Sequence, residues 1–191
     1  MSREAAAHLE SDDALAPLVA EHGPLGLEPH EDPFRRLVVS LVRQQVSMAA
    51  ADAIEERLFE AVDITPEGVL AAEESTLRDA GLSAQKTEYV RAVAEAWQER
   101  GYDRTYFDGM DDDAVTAELT EIHGVGTWTA KMFLMFALAR EDVFPVEDLG
   151  VRRGMEIVCG ELTRGEMRER AEAWRPYRSY ASRYLWRAYE G

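Results

Sequence analysis

Two glycines separated by one valine, Gly124-Val125-Gly126, lie between two runs that favour helix, and this arrangement restricts the chain more than any other stretch. Glu118-Leu119-Thr120-Glu121-Ile122-His123 precedes it and Thr127-Trp128-Thr129-Ala130 follows. Glycine admits φ > 0 and the close approach of another backbone, so the two runs can fold back as a tight hairpin. The N–H groups of the hairpin and of the first turn after it have no intrahelical partner, which suits them to a phosphate oxygen. Lys131 to Arg140 comes next, apolar on nearly every side through Met132, Phe133, Leu134, Met135, Phe136 and Leu138. That run predicts a helix buried all round, anchoring the hairpin rigidly.

A second segment, Asp142-Val143-Phe144-Pro145-Val146-Glu147-Asp148-Leu149-Gly150-Val151-Arg152-Arg153-Gly154, delivers one acidic residue to the start of a further helix. Each segment alone has an ordinary explanation, a glycine turn in one case and an acidic N-cap in the other. In this order and at this spacing they resemble the helix-hairpin-helix plus Gly/Pro...Asp signature of base-excision DNA glycosylases. Within that superfamily the similarity is to the 3-methyladenine-DNA glycosylase II branch, and it covers residues 32–190. The resemblance implies an all-α helix-hairpin-helix glycosylase fold, with two helical subdomains flanking a cleft and no β domain. Residues 33–140 would form the subdomain carrying the hairpin, residues 1–32 and 141–191 the other, with Asp148 in the cleft between them.

Composition bounds these expectations. A chain of 191 residues, 46% of them hydrophobic, can bury one good core or two intimately joined ones. No long apolar run and no charged-then-apolar leader occurs, so an intracellular, cytoplasmic protein without a membrane segment is expected. The one cysteine, Cys159, excludes an intramolecular disulfide and the four-cysteine iron–sulfur site of some superfamily members. A formal charge of −16 opposes DNA binding, whose affinity comes largely from Lys and Arg displacing counterions. Lys86 and Lys131 are the only lysines, and an acid-rich, lysine-poor surface is similar to those adapted to high salt, where repulsion from DNA is screened. The charge is also uneven. Residues 148–191 hold nine Arg against seven acids, a net of +2, which leaves −18 on the remainder.

Taken along the chain, the first thirty residues predict a weak helix and then a loop at Gly23-Pro24-Leu25-Gly26. From Asp32-Pro33 the apolar residues Phe34, Leu37, Val38, Leu41 and Val42 recur at helical spacing, with the proline in a tolerated first-turn position. Arg43-Gln44-Gln45-Val46-Ser47 interrupts that helix, and Ser47 is placed to cap the next. Residues 65–80 predict one short helix closed at Gly81, and Gly81-Leu82-Ser83-Ala84-Gln85-Lys86 opens another, with Ser83 as its cap. Trp97 lies at helical spacing from Val90, Val93 and Ala94 and is assigned to the core, while Asp111-Asp112-Asp113 suits the positive end of the first hairpin helix. Near the C-terminus, Trp174-Arg175-Pro176-Tyr177-Arg178-Ser179-Tyr180-Ala181 resembles the Trp-x-Pro-aromatic-Arg-Ser-x-Ala element of the same branch, and without that resemblance it is an amphipathic helix with aromatic packing.

The site residues follow from the resemblance, position by position. Asp148 takes the place of the catalytic carboxylate, with Glu147 as its nearest rival. Trp128 and Trp186 fall on the two positions whose indole faces line the base pocket, and Met132 is assigned with them. Gln44, Gln45 and Ser47 belong to the turn that enters the minor groove, Gln45 being the plug for the space left by an extruded nucleotide. Lys86, Gly124, Val125, Gly126 and Thr127 are the phosphate-contacting set. A structural Na+ or K+ is implied at the main-chain carbonyls of Thr120, Ile122 and Val125, and no cofactor is implied for catalysis. One departure stands out, His123 in place of a proline common in the family, and the extra β domain of longer bacterial relatives is not expected from these residues.

The chemistry suits such a site. Breaking an N-glycosidic bond builds positive charge on the deoxyribose, which a fixed carboxylate stabilises, and a helix N-terminus favours that carboxylate in its ionised form. One carboxylate suffices if the leaving purine is alkylated and already cationic, and a cationic ring stacks well on indole. Trp128 stands where bifunctional members carry a Schiff-base lysine, so hydrolysis that leaves an intact abasic site is expected. The implied partner is double-stranded DNA containing alkylated bases, bound by a monomer associated with the nucleoid. A non-catalytic helix-hairpin-helix DNA-binding module, or a glycosylase for neutral lesions such as hypoxanthine or uracil, stays open from sequence.

Overall fold

The computed structural model describes residues 1–103 and 105–191, and every regular element among them is helical. The helices are α1 (Arg3–Glu10), α2 (Ala16–His22), α3 (Pro33–Arg43), α4 (Met48–Ala61), α5 (Pro66–Ala71), α6 (Glu74–Asp79), α7 (Ala84–Glu99), α8 (Asp112–Thr120), α9 (Thr127–Phe136), α10 (Leu149–Cys159), α11 (Arg164–Ala171) and α12 (Arg178–Glu190), with a 3-10 turn at Glu172–Trp174. The chain forms two compact units, residues 30–133 and residues 1–29 with 134–191, and the change of unit falls within α9. Among the described residues no helix is long and apolar enough to cross a membrane.

In the unit of residues 30–133, local chemistry starts most of the helices. Asp32, Ser47, Thr65, Ser83 and Asp111 each accept a hydrogen bond from the N–H three residues on, capping α3, α4, α5, α7 and α8. Phe34, Leu37, Val38, Leu41 and Val42 form one buried stripe of α3, which packs on Val90, Val93, Ala94 and Trp97 of α7. Trp97 is the hub of this core, meeting Phe34, Tyr102, Phe107 and Phe133 at ring-centroid distances of 5.5, 5.2, 6.3 and 6.3 Å. An aromatic of that size buries about 150–250 Å² and stabilises the fold by roughly 4–6 kcal/mol before conformational entropy is subtracted.

The other unit is built on α10 and α12. Gly154 makes their approach possible: a Cβ there would lie 1.9 Å from the carbonyl oxygen of Leu185. Val151, Met155, Trp174, Tyr184 and Leu185 bury with Leu9 and Leu15 from the N-terminal helices. The Tyr184 hydroxyl donates to the Gly23 carbonyl at 2.7 Å and Arg170 holds Asp12 with two contacts of 2.7 Å, so the N-terminal residues are pinned to α11 and α12.

Three elements differ from their sequence-based expectation. The first thirty residues hold two helices, docked through α12, where one weak helix was expected. Residues 65–80 split into α5 and α6 at Ala72 and Glu73, and the Ala72 carbonyl released by the break accepts a hydrogen bond from Arg91 of α7. The apolar run predicted to Arg140 stops as helix at Phe136, where Ala139 takes φ +53° and the Arg140 N–H folds back on the Leu134 carbonyl at 2.9 Å, while the Arg140 carbonyl accepts from the Ser179 hydroxyl at 2.6 Å.

Candidate active site

Asp148 is positioned by a segment with little freedom. Ser179, fully buried on α12, donates its hydroxyl to the Arg140 carbonyl at 2.6 Å and accepts from the Val143 N–H at 2.9 Å. Its own N–H donates to Glu141 at 2.9 Å. Arg178 grips Asp142 at 2.6 and 3.1 Å, and Arg175 reaches the same carboxylate at 3.1 Å. The Arg-Ser pair of the C-terminal element is therefore a staple on residues 140–143. Val143, Phe144, Pro145 and Val146 are buried beyond it, and a tight turn closes when the Asp148 N–H donates to the Pro145 carbonyl at 2.8 Å.

At the end of this turn Asp148 is the N-cap of α10, in extended backbone conformation (φ −72°, ψ 131°), and it is partly exposed. Its Oδ1 accepts two hydrogen bonds, from the Val151 N–H at 2.9 Å and from Nε1 of Trp186 at 2.8 Å. Two donors of different origin on one oxygen fix the rotation of the carboxylate as well as its place. The cap satisfies an otherwise orphaned helix donor, and the helix dipole favours negative charge at this end. Trp186, 38 residues further along the chain, stacks on Phe136 with centroids 5.7 Å apart and planes 29° from parallel. The indole thus has one ring-to-ring contact and directs its N–H at the carboxylate.

Gly150, absent from the residues singled out by sequence, makes this possible. A Cβ at that position would lie 2.7 Å from Cδ1 of Trp186, 3.0 Å from its Nε1 and 3.2 Å from Oδ1 of Asp148. The signal was present: glycine in the first turn of a helix costs about 1 kcal/mol relative to alanine, so it needs a packing reason.

The hairpin belongs to the unit of residues 30–133 and is braced from two sides. Gly124 has φ +90° and lies against the Tyr89 ring, where a Cβ would come within 2.1 Å of a ring carbon. Ile122 and Val125 are buried and bonded to each other, the Val125 N–H donating to the Ile122 carbonyl at 3.0 Å, while Gly126 and Thr127 are exposed where α9 begins. His123, in the place of the proline, is exposed and meets the edge of Tyr89 at 4.9 Å. Trp128, partly exposed, and Met132, buried, follow four residues apart on α9.

Two residues assigned to DNA contact use their donors inside the protein. The Gln44 amide donates to the Gly124 carbonyl at 3.1 Å and to Oγ1 of Thr129 at 2.8 Å, so it ties the 44–47 turn to the hairpin. Lys86 donates to the Val42 carbonyl at 2.5 Å near the end of α3, and burial lowers its pKa. Gln45 is different: it is exposed at φ +54°, a conformation that costs a non-glycine residue of order 1 kcal/mol and projects it from the turn. Ser47 caps α4, and the neighbouring Val46 and Met48 are 38% and 60% exposed, apolar flanks that sequence reasoning passed over. Among the described residues no three His, Cys, Asp or Glu side chains converge as metal ligands.

Residues 38–178 match the family described as HhH-GPD superfamily base excision DNA repair protein. DNA-3-methyladenine glycosylase 1 of Schizosaccharomyces pombe is 30% identical, across 91% of this chain and 79% of its own length. A solved structure of the S. pombe 3-methyladenine DNA glycosylase in complex with abasic DNA superposes with a TM-score of 0.88 at 28% identity, covering 96% of this chain and 95% of that one. The crystal structure of a DNA-3-methyladenine glycosidase from Bacillus halodurans is 36% identical with a TM-score of 0.82, over 98% of this chain and 89% of the other.

Proposed function

The chain belongs to the HhH-GPD superfamily of base excision DNA repair proteins, and from that membership and the site we propose that it is a monofunctional DNA glycosylase excising alkylated purines of the 3-methyladenine and 7-methylguanine type. The observation that carries this assignment is Asp148 at the N-terminus of α10, its Oδ1 held by the Val151 N–H and the Trp186 indole. A carboxylate so fixed stabilises developing charge without reorganising during the reaction.

The reaction breaks the bond between the anomeric carbon and the purine nitrogen. The electron pair goes to the ring, whose positive charge from alkylation it cancels, so the base leaves without a general acid. Asp148 faces the cationic sugar, water adds to the anomeric carbon, and its proton passes to the carboxylate or onward to solvent. Trp128 occupies the position of a Schiff-base lysine in bifunctional relatives, which accords with hydrolysis alone and an intact abasic product.

DNA binding is assigned to the hairpin, where Gly126 and Thr127 are exposed beside Gly124 and offer N–H groups to a backbone phosphate while the buried Val125 spends its own N–H on the Ile122 carbonyl, and to Gln45 as the residue that enters the stack when the target nucleotide is flipped. Gln44 acts behind both by joining them. The indoles of Trp186 and Trp128, with Met132, are proposed to meet the extruded base, to which indole adds cation–π attraction. The carbonyls of Thr120, Ile122 and Val125 are neutral hard oxygen donors of the kind that suit Na+ or K+, so a structural alkali ion is assigned there, with no part in the chemistry. Action on duplex DNA supports a working location at the nucleoid.

The test is release of methylated bases from alkylated duplex at several salt concentrations, by wild type and by Asp148→Asn. Release by the wild type and a loss of at least 100-fold in the variant, at unchanged duplex affinity, is the expected result. Equal rates in the two would remove Asp148 from the mechanism.

A further inference from the structure

Arg152 lies in the first turn of α10, four residues after Asp148, and folds back toward the start of its own helix as helical side chains do. Its Nη1 donates to the Val146 carbonyl at 3.0 Å and to the Glu147 carbonyl at 2.6 Å. Its main-chain N–H donates to the Asp148 carbonyl at 3.2 Å. One residue therefore holds three successive carbonyls, those of 146, 147 and 148, across the turn that presents the carboxylate. The side chain is only partly exposed, and among the described residues Arg152 makes no ion pair. A guanidinium in a chain with 37 Asp and Glu is thus committed to two neutral oxygens. The adjacent Arg153, by contrast, is exposed and paired with Glu156 at 2.7 Å.

The geometry points to Arg152 as a positioning residue for the glycosidic step, which clamps the backbone on the N-terminal side of Asp148 as Trp186 and Val151 clamp its carboxylate. This rests on Asp148 being the carboxylate that faces the sugar. Three features of the turn make such a clamp necessary. Pro145 supplies no N–H, the main-chain bonds of the turn run only from the Val146 N–H to the Phe144 carbonyl and from the Asp148 N–H to the Pro145 carbonyl among the described residues, and the Val146 and Glu147 carbonyls are left for other donors. Without a donor for them the turn can rotate its peptide planes, and displacement of a catalytic group by about 1 Å costs on the order of 100-fold in rate. A charged donor on two carbonyls resists that rotation.

The role separates from a merely structural one and from a phosphate contact in one experiment. Base release from methylated duplex is measured under single-turnover, saturating conditions for wild type, Arg152→Met, Arg152→Lys and Asp148→Asn. Affinity for an abasic duplex is measured in parallel as a function of salt. Arg152→Met should lose about 10- to 100-fold in rate per folded molecule, with affinity within twofold and an unaltered salt slope. Arg152→Lys, whose ammonium can donate to both carbonyls, should recover to within about threefold of wild type. The proposal is overturned if folded Arg152→Met keeps its rate, or if the salt slope falls by about one, the mark of a lost phosphate contact. If Arg152→Met does not fold, Arg152→Lys decides alone: a folded lysine variant slowed more than 10-fold refutes the clamp, and one near wild-type rate supports it. Unchanged activity in Asp148→Asn would instead refute the catalytic assignment itself, whatever Arg152 does.

Discussion

Gly150→Ala should damage activity while leaving the protein folded. The new Cβ would meet Cδ1 of Trp186 at 2.7 Å, where ordinary contact is 3.4–4 Å, so the indole must withdraw by about 0.7 Å or more. Nε1 of Trp186 now donates to Asp148 at 2.8 Å. The same withdrawal carries that distance to about 3.5 Å or beyond, outside useful hydrogen-bond range. A hydrogen bond to a charged group contributes about 1.5–3 kcal/mol. If all of it is expressed in the transition state, the rate falls by roughly 10- to 150-fold. Trp186 is partly exposed and the Val151 N–H stays on Oδ1, so the lower half of that range is the expected outcome. Stability has two opposing contributions: alanine in a helix gains about 1 kcal/mol over glycine, and crowding costs about 1–3 kcal/mol. The net change should be a loss of no more than about 2 kcal/mol. Single-turnover base release and thermal unfolding on the same preparation test both. A Gly150→Ala protein that releases bases at the wild-type rate, beside an inactive Asp148→Asn, would refute the claim that the indole holds the carboxylate in its working orientation.

Gln45→Gly should raise unfolding stability by about 1 kcal/mol, because glycine adopts φ +54° without strain, yet weaken binding to an abasic duplex. Chemical denaturation read beside a binding titration checks the opposite signs, and unchanged affinity would remove Gln45 from the interface. A pH dependence of folding should come from Glu118, whose carboxyl is held below its ordinary value of 4.5 by hydrogen bonds first from Tyr102 and then from Arg100. Since the folded value is the depressed one, this stabilisation is complete above about pH 4.5 and is lost as pH falls through the folded value. Tyr102→Phe should flatten that acid limb in unfolding curves, and an identical limb in the variant would exclude the pair as its source.

What could be read from sequence was what is decided by neighbours along the chain. Asp148, Ser47 and Ser83 were assigned as caps because cap chemistry needs only the next three residues, and all three accept the N–H that such a cap should. The stripe on α3 and the burial of Trp97 followed from helical period in the same way. Interactions across long separations were not legible. The Arg140 carbonyl is met by Ser179, 39 residues away, and the resemblance of residues 174–181 to a known element did not disclose that its arginine and serine bind residues 140–143. Gln44 and Lys86 were assigned outward roles by the resemblance, which carries no information on the inward partners of a side chain. The carbonyls that engage them, on Gly124 and Val42, are brought near only by the fold. Gly150 was passed over because its requirement is set by an indole from α12.

The staple by Ser179 and Arg178 and the bond from Trp186 also bear on how the protein comes to life on the ribosome. The hairpin, Asp148 and the turn before it are all made before α12, yet the groups that hold residues 140–143 and orient the carboxylate arrive 36–39 positions later. Until α12 is made, residues 140–143 lack their staple and Oδ1 of Asp148 lacks one of its donors, so the last helix to be synthesised is the one that completes the arrangement of the carboxylate.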